Sequence, residues 1–86
     1  MNINELIAIV KKKLQAEIII QDLKIEDKSF LHKNHKGNQD GKFHLKLIIS
    51  SHELSKVNKL TSTKKIYKIL DLELKEHIHS IQILLT

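Results

Sequence analysis

Apolar positions along the chain change period several times, and each change marks an element. Leu6, Ile7, Val10 and Leu14 recur at the spacing of one helical face, with Asn2 or Asn4 available as a cap and Glu5 in the first turn. Lys11, Lys12 and Lys13 fall near the expected end of this helix, where cations complement the dipole. Ala16 to Ile20 and Leu23 to Glu26 read as one interrupted first strand, with Gln21-Asp22 as its irregularity. Periodicity then disappears from Asp27 to Lys42, a polar stretch that holds both glycines of the protein. Loops of roughly 12–15 residues inside a compact domain are usually functional or disordered.

After that gap, Phe43, Leu45, Leu47 and Ile49 alternate with His44, Lys46 and Ile48, the pattern of a half-buried strand. Ser51 or Ser55 can cap the following helix, in which Val57, Leu60, Tyr67, Leu70 and Leu74 form the expected buried face. Asp71 to Glu76 continues as a last turn or a separate short helix. From Ile78 to the end a final strand is expected, with His79, Ile81, Ile83 and Leu85 on one face and Ile78, Ser80, Gln82 and Leu84 on the other. The order is α-β-β-α-α-β, an α+β fold with a mixed three-stranded sheet covered on one face by helices.

Length and composition narrow the function classes. Eighty-six residues form one domain, residues 1–86, with a single modest core. There is no Cys, so the chain supplies no thiolate ligand and no disulfide. The apolar runs Leu6 to Val10 and Ile18 to Ile20 are far below the ~20 residues that span a bilayer. Without a basic lead and long apolar stretch at the N-terminus, no signal peptide and no membrane association are expected. The expectation is a soluble protein of the bacterial cytosol or of an organelle matrix. Net charge is +5, carried by lysine alone, since the chain has no Arg. Lysine is a hydrated point charge without the planar fork that reads phosphate and guanine edges, so nonspecific attraction to DNA is the most this balance implies. Phe30, Phe43 and Tyr67 are the only aromatics, a poor supply for base stacking.

Six histidines are the remaining chemistry. His32 and His35 lie in the long loop, His44 begins the second strand, His52 follows it, and His77 and His79 flank the entry to the last strand. A loop imidazole together with one on a strand can offer two neutral nitrogen ligands to a borderline metal, although the fixed intervals of a zinc finger are absent. The other reading of His79 is a ring at the rim of a core, hydrogen-bonded and inert. By the same alternation His44 belongs to the polar face of its strand and is expected at the surface.

Motifs add what spacing does not. Asp27-Lys28-Ser29, then His32, then His35-Lys36-Gly37, resembles the Asp-Glu-Ser, His, His-Ala-Gly segment of BolA-like proteins. His44-Leu45-Lys46-Leu47-Ile48-Ile49-Ser50-Ser51 is similar to the second strand of that family, and Ile78-His79-Ser80-Ile81 to its Val/Ile-His-Ala-Leu signature. Ile66-Tyr67 and Leu70 to Leu74 resemble the end of its main helix, so the likeness covers essentially the whole chain. It implies a class II KH-like architecture and a non-enzymatic role in iron–sulfur cluster assembly or trafficking. It also implies a 2Fe–2S cluster shared with a monothiol glutaredoxin and its glutathione. On this chain the implied metal ligands are His79 and one loop histidine, His35 by best match and His32 as second choice. Two imidazoles on one iron would raise the reduction potential and must be neutral to bind.

The chain departs from the family where nucleic-acid contact would be expected. Ser62-Thr63-Lys64 stands in place of Arg-His-Arg, and Leu54 and Lys56 in place of an aromatic and a Gly. Gly37 and Gly41 are wrongly placed and spaced for a KH backbone clamp. The alternative function, a KH-like nucleic-acid-binding transcriptional regulator, rests on Lys56, Lys59, Lys64 and Lys68. No nucleophile with an adjacent base, carboxylate pair or phosphate-cradling loop points to an enzyme.

Overall fold

The computed structural model describes residues 1–29 and 42–86. Helix α1 (Ile3–Glu17) starts at Asn2, whose side-chain oxygen accepts a hydrogen bond from the Glu5 amide at 2.8 Å while its amide donates to the Glu5 carboxylate. The first of these bonds satisfies a backbone donor that a helix start otherwise leaves open, and the second ties the two side chains together. Leu6, Val10 and Leu14 form its fully buried stripe. The helix runs through Ala16 and Glu17, so the expected strand beginning at Ala16 is absent. Ile18 instead ends the helix in extended backbone and fills the core. Lys11 to Lys13 therefore lie inside the helix rather than at its end.

Strand β1 (Asp22–Asp27) pairs antiparallel with β2 (Phe43–Ser50), and β2 pairs parallel with β3 (Ile78–Leu85), giving the order β1-β2-β3. Between β2 and β3 run α2 (His52–Ser55), α3 (Lys59–Ile69) and α4 (Asp71–Glu76). The crossover is thus three short helices rather than two. Ser51 caps α2, accepting from the Leu54 amide, and Asn58 caps α3, accepting from the Thr61 amide at 2.8 Å.

Leu45, Leu47 and Ile49 of β2 face the helices and join Leu6, Val10, Leu14, Ile66 and Leu70 in one cluster. Burying each such side chain contributes roughly 1.5–3 kcal/mol, which makes this layer the main source of stability. The α3 face differs from the expected one. Val57, Leu60 and Tyr67 are exposed, while Ser62, Ile66 and Leu70 are buried. Asn58 starts the helix one residue after Val57, and Ser62, small enough for close approach, donates its hydroxyl to the Leu54 carbonyl at 3.2 Å. A polar residue thus occupies a position that a search for apolar periodicity passes over.

Among the described residues, no helix covers the opposite face of the sheet. Register aligns Lys24, Ile48 and Leu84 in one cross-strand row and Glu26, Lys46 and Gln82 in the next. Among the described residues, no helix is long and apolar enough to cross a membrane.

Candidate functional site

At the start of β3 the parallel ladder is irregular. Phe43 pairs with Ile78, but His44 pairs with Ser80, so His79 is surplus and forms a bulge. The consequence for facing is direct. Ile78 is buried, Ile81, Ile83 and Leu85 pack toward the same core, and His79 and Ser80 both emerge on the uncovered face. Strict alternation assigned His79 to the row of Ile81, Ile83 and Leu85. The bulge corrects this by shifting the parity, and His79 is exposed.

His44 is the second correction. It lies on the uncovered face yet is only 4% exposed. Its Nδ1 is 2.6 Å from the Ser80 hydroxyl, and its ring centroid is 4.9 Å from that of His79, with the planes inclined by 59°. The strand stem covers it too: the Lys28 amide donates to the His44 carbonyl, and the His44 amide donates to the Ser29 hydroxyl. The alternation of β2 placed His44 at the surface and gave Ser80 no partner. The available signal was that two polar residues meet across adjacent strands, which is invisible until the register is known.

These contacts locate the two ends of the intervening segment. Asp27 accepts from the Ser29 amide at 2.9 Å, a tight turn that carries the chain off β1. On the returning side, the Phe43 amide donates to the His77 carbonyl, and Lys42 Nζ donates to the Lys75 carbonyl. Both stems therefore stand at the end of the sheet that carries His44, His79 and Ser80. His32 and His35 themselves lie outside the described residues. His77 ends α4, with its ring 3.8 Å from the Glu76 carboxylate, and His52 is exposed at the start of α2.

Among the described residues, no group of three or more His, Cys, Asp or Glu could hold a metal ion. Among the described residues, the donors at this end of the sheet are one outward imidazole and the second ring on which it leans, and the chain has no thiolate to add. An outward neutral imidazole can donate to a metal whose other ligands come from elsewhere. A shallow depression lined by Lys28, His44, Lys46, Ser80 and Gln82 opens alongside.

The lysines of the alternative reading do not form a single row. Lys56 ends α2, and within α3 Lys59 is separated by more than a third of a turn from the neighbouring pair Lys64 and Lys68. All four are exposed. Between α2 and α3 the turn is Lys56-Val57-Asn58, with no glycine for close backbone approach.

Comparison with known proteins agrees with this architecture. The family model described as BolA-like protein matches residues 14–86. A Haemophilus influenzae protein named DNA-binding transcriptional regulator BolA is 32% identical over 73 residues, covering 85% of this chain and 68% of that protein. BolA1 from Arabidopsis thaliana superposes with a TM-score of 0.78 at 29% identity, over 92% of this chain and 87% of that one. The BolA domain of SufE1 from the same plant gives 0.77 at 28% identity, with the same coverage. A TM-score of 0.71 to BolA1 from Mus musculus, at 18% identity over 90% of this chain and 60% of that one, shows the shared fold. With its bulged Ile-His-Ser-Ile strand, mixed sheet and helical layer, the chain belongs to the BolA-like protein family.

Proposed function

We propose that this chain is a non-enzymatic adaptor in iron–sulfur cluster assembly or trafficking, which takes up a 2Fe–2S cluster jointly with a monothiol glutaredoxin and its glutathione. The supporting observation is His79, turned outward by the bulge at the end of the sheet where both loop stems stand. In this reading His79 and His35, with His32 as the second choice, hold one iron, and the partner's thiolates hold the other. A chain without Cys needs such a partner, because cluster sulfur ligation has to come from outside. Paired imidazole ligation raises the reduction potential of a cluster relative to an all-thiolate one. The chain's own contribution is to present a ring whose orientation is fixed by its neighbour before the partner arrives.

The test mixes the chain with a monothiol glutaredoxin, glutathione and a reconstituted cluster, and records visible absorption and circular dichroism. His79→Ala should change both spectra, and His35→Ala against His32→Ala should identify the second ligand. Spectra identical to wild type for His79→Ala would remove His79 from the site.

A nucleic-acid-binding regulator is the second reading, favoured by the name of the Haemophilus influenzae relative and by four exposed lysines around α3. Binding of specific and scrambled duplex DNA at two salt concentrations separates the two kinds of contact. Loss of affinity with salt and indifference to sequence would mark nonspecific attraction by lysine.

A further inference from the structure

The two edges of the sheet are guarded very differently. Edge strand β1 has the sequence Asp22-Leu23-Lys24-Ile25-Glu26-Asp27, in which four of six residues are charged. Edge strand β3 has the sequence Ile78-His79-Ser80-Ile81-Gln82-Ile83-Leu84-Leu85, with no Lys, Asp, Glu or Pro. Charges and proline are the usual means of preventing an edge from pairing, and β3 has neither.

Its backbone is open for pairing. The Thr86 amide donates to the Ile49 carbonyl across the parallel ladder. Because donors and acceptors on a strand alternate sides, Gln82 and Leu84 also address β2, and Ile81, Ile83 and Leu85 point their N–H and C=O groups outward. Among the described residues, no partner meets those outward groups. The same three side chains are only partly buried at the border of the core, and Leu84 is 45% exposed.

We infer that the β3 edge is a self-pairing surface, and that its occupant is β3 of a second copy of this chain, antiparallel and centred on Ile83. In that register Ile81 meets Leu85 of the second copy, and Ile83 meets its own counterpart. The outward N–H and C=O groups are exchanged in pairs, and the helix-side apolar residues of both copies join into one strip. Arranged this way, the contact is isologous and closes at two copies. Charge selects this edge over the rest of the surface: two chains of net charge +5 repel, and β3 is the exposed element that brings no charge to the contact. His79 lies beyond the paired segment, so it remains open in the dimer.

Sedimentation equilibrium of the intact chain over about a hundredfold range of concentration tests this, together with amide exchange at both ends of the range. The average mass should rise from 10.0 kDa toward twice that value. The amides of Ile81, Ile83 and Leu85 should gain protection about tenfold or more with concentration, while those of Gln82 and Leu84 are protected throughout. Leu84→Lys, at an exposed position that leaves the monomer folded, should weaken association about fivefold by setting two cations diagonally across the seam. Ile83→Pro removes a donor that the monomer does not use and should abolish association. A mass that stays at 10.0 kDa at every concentration would overturn the inference. So would a doubled mass without protection of the three amides, or Leu84→Lys associating as wild type does.

Discussion

The ring of His79 leans on that of His44 at a centroid separation of 4.9 Å, and His44 in turn is held by the hydroxyl of Ser80. One exposed imidazole therefore stands on a buried one, and the hydroxyl between strands keeps the lower ring in place. Ser80→Ala should lower stability by about 0.5–1.5 kcal/mol, the usual net worth of such a hydrogen bond. Urea denaturation with an unchanged slope would show that the loss belongs to the folded state.

A second prediction concerns α1 and α4. Lys13 Nζ donates to Glu73 Oε2 at 2.6 Å, Glu73 is 4% exposed, and among the described residues its Oε1 meets no donor. Lys13→Met strands a buried carboxylate and should cost about 1–3 kcal/mol, below the range for fully buried pairs because Lys13 is partly exposed. Lys13→Met combined with Glu73→Leu should recover most of that loss, since an apolar pair avoids desolvating either charge. Thermal unfolding of wild type, Lys13→Met, Glu73→Leu and the double variant completes the cycle.

Acid should act partly through Glu53. A hydrogen bond from Lys65 is the first cause holding its carboxyl below the ordinary value of 4.5, with a second from the Ile19 amide. A carboxyl lowered by folding stabilises the fold fully above that ordinary value, and the contribution disappears as pH falls through the lower folded value. Glu53→Gln should therefore be less stable than wild type at neutral pH, and the two curves should converge in acid.

The helix register makes a fourth prediction. Ile66→Ala should cost about 2–5 kcal/mol, because Ile66 is fully buried among the residues of the core. Leu60→Ala should change stability by no more than about 0.5 kcal/mol, since Leu60 is 63% exposed. Guanidinium midpoints for the two variants would reverse if the face containing Leu60 and Tyr67 were the packed one.

That contrast shows where the sequence was legible. The strands of Leu45, Leu47 and Ile49 and of Ile81, Ile83 and Leu85 announce themselves by alternation, and Leu6, Val10 and Leu14 by helical spacing. Ser62 and Glu73 are buried polar residues whose partners, the Leu54 carbonyl and Lys13, lie on other elements, so no local pattern reveals them. Leu60 and Tyr67 misled because an apolar side chain need not be covered. At the candidate site the motif drew attention to His79, but its facing depended on one surplus residue. The clue in the chain was an apolar pair three apart, Ile78 and Ile81, which strict alternation cannot place on one side.

That surplus residue also works as a lock against slippage. A strand free to slide by one position would send Ile81, Ile83 and Leu85 into water and draw Gln82 inward, whereas an extra unit wedged opposite the Phe43–His44 junction penalises every other alignment. The outward facing of the imidazole is consequently tied to this one alignment. Deleting His79 would leave Ile78 opposite Phe43 and Ser80 opposite His44 in a regular ladder, so the core face would keep its residues and only the outward ring would be lost.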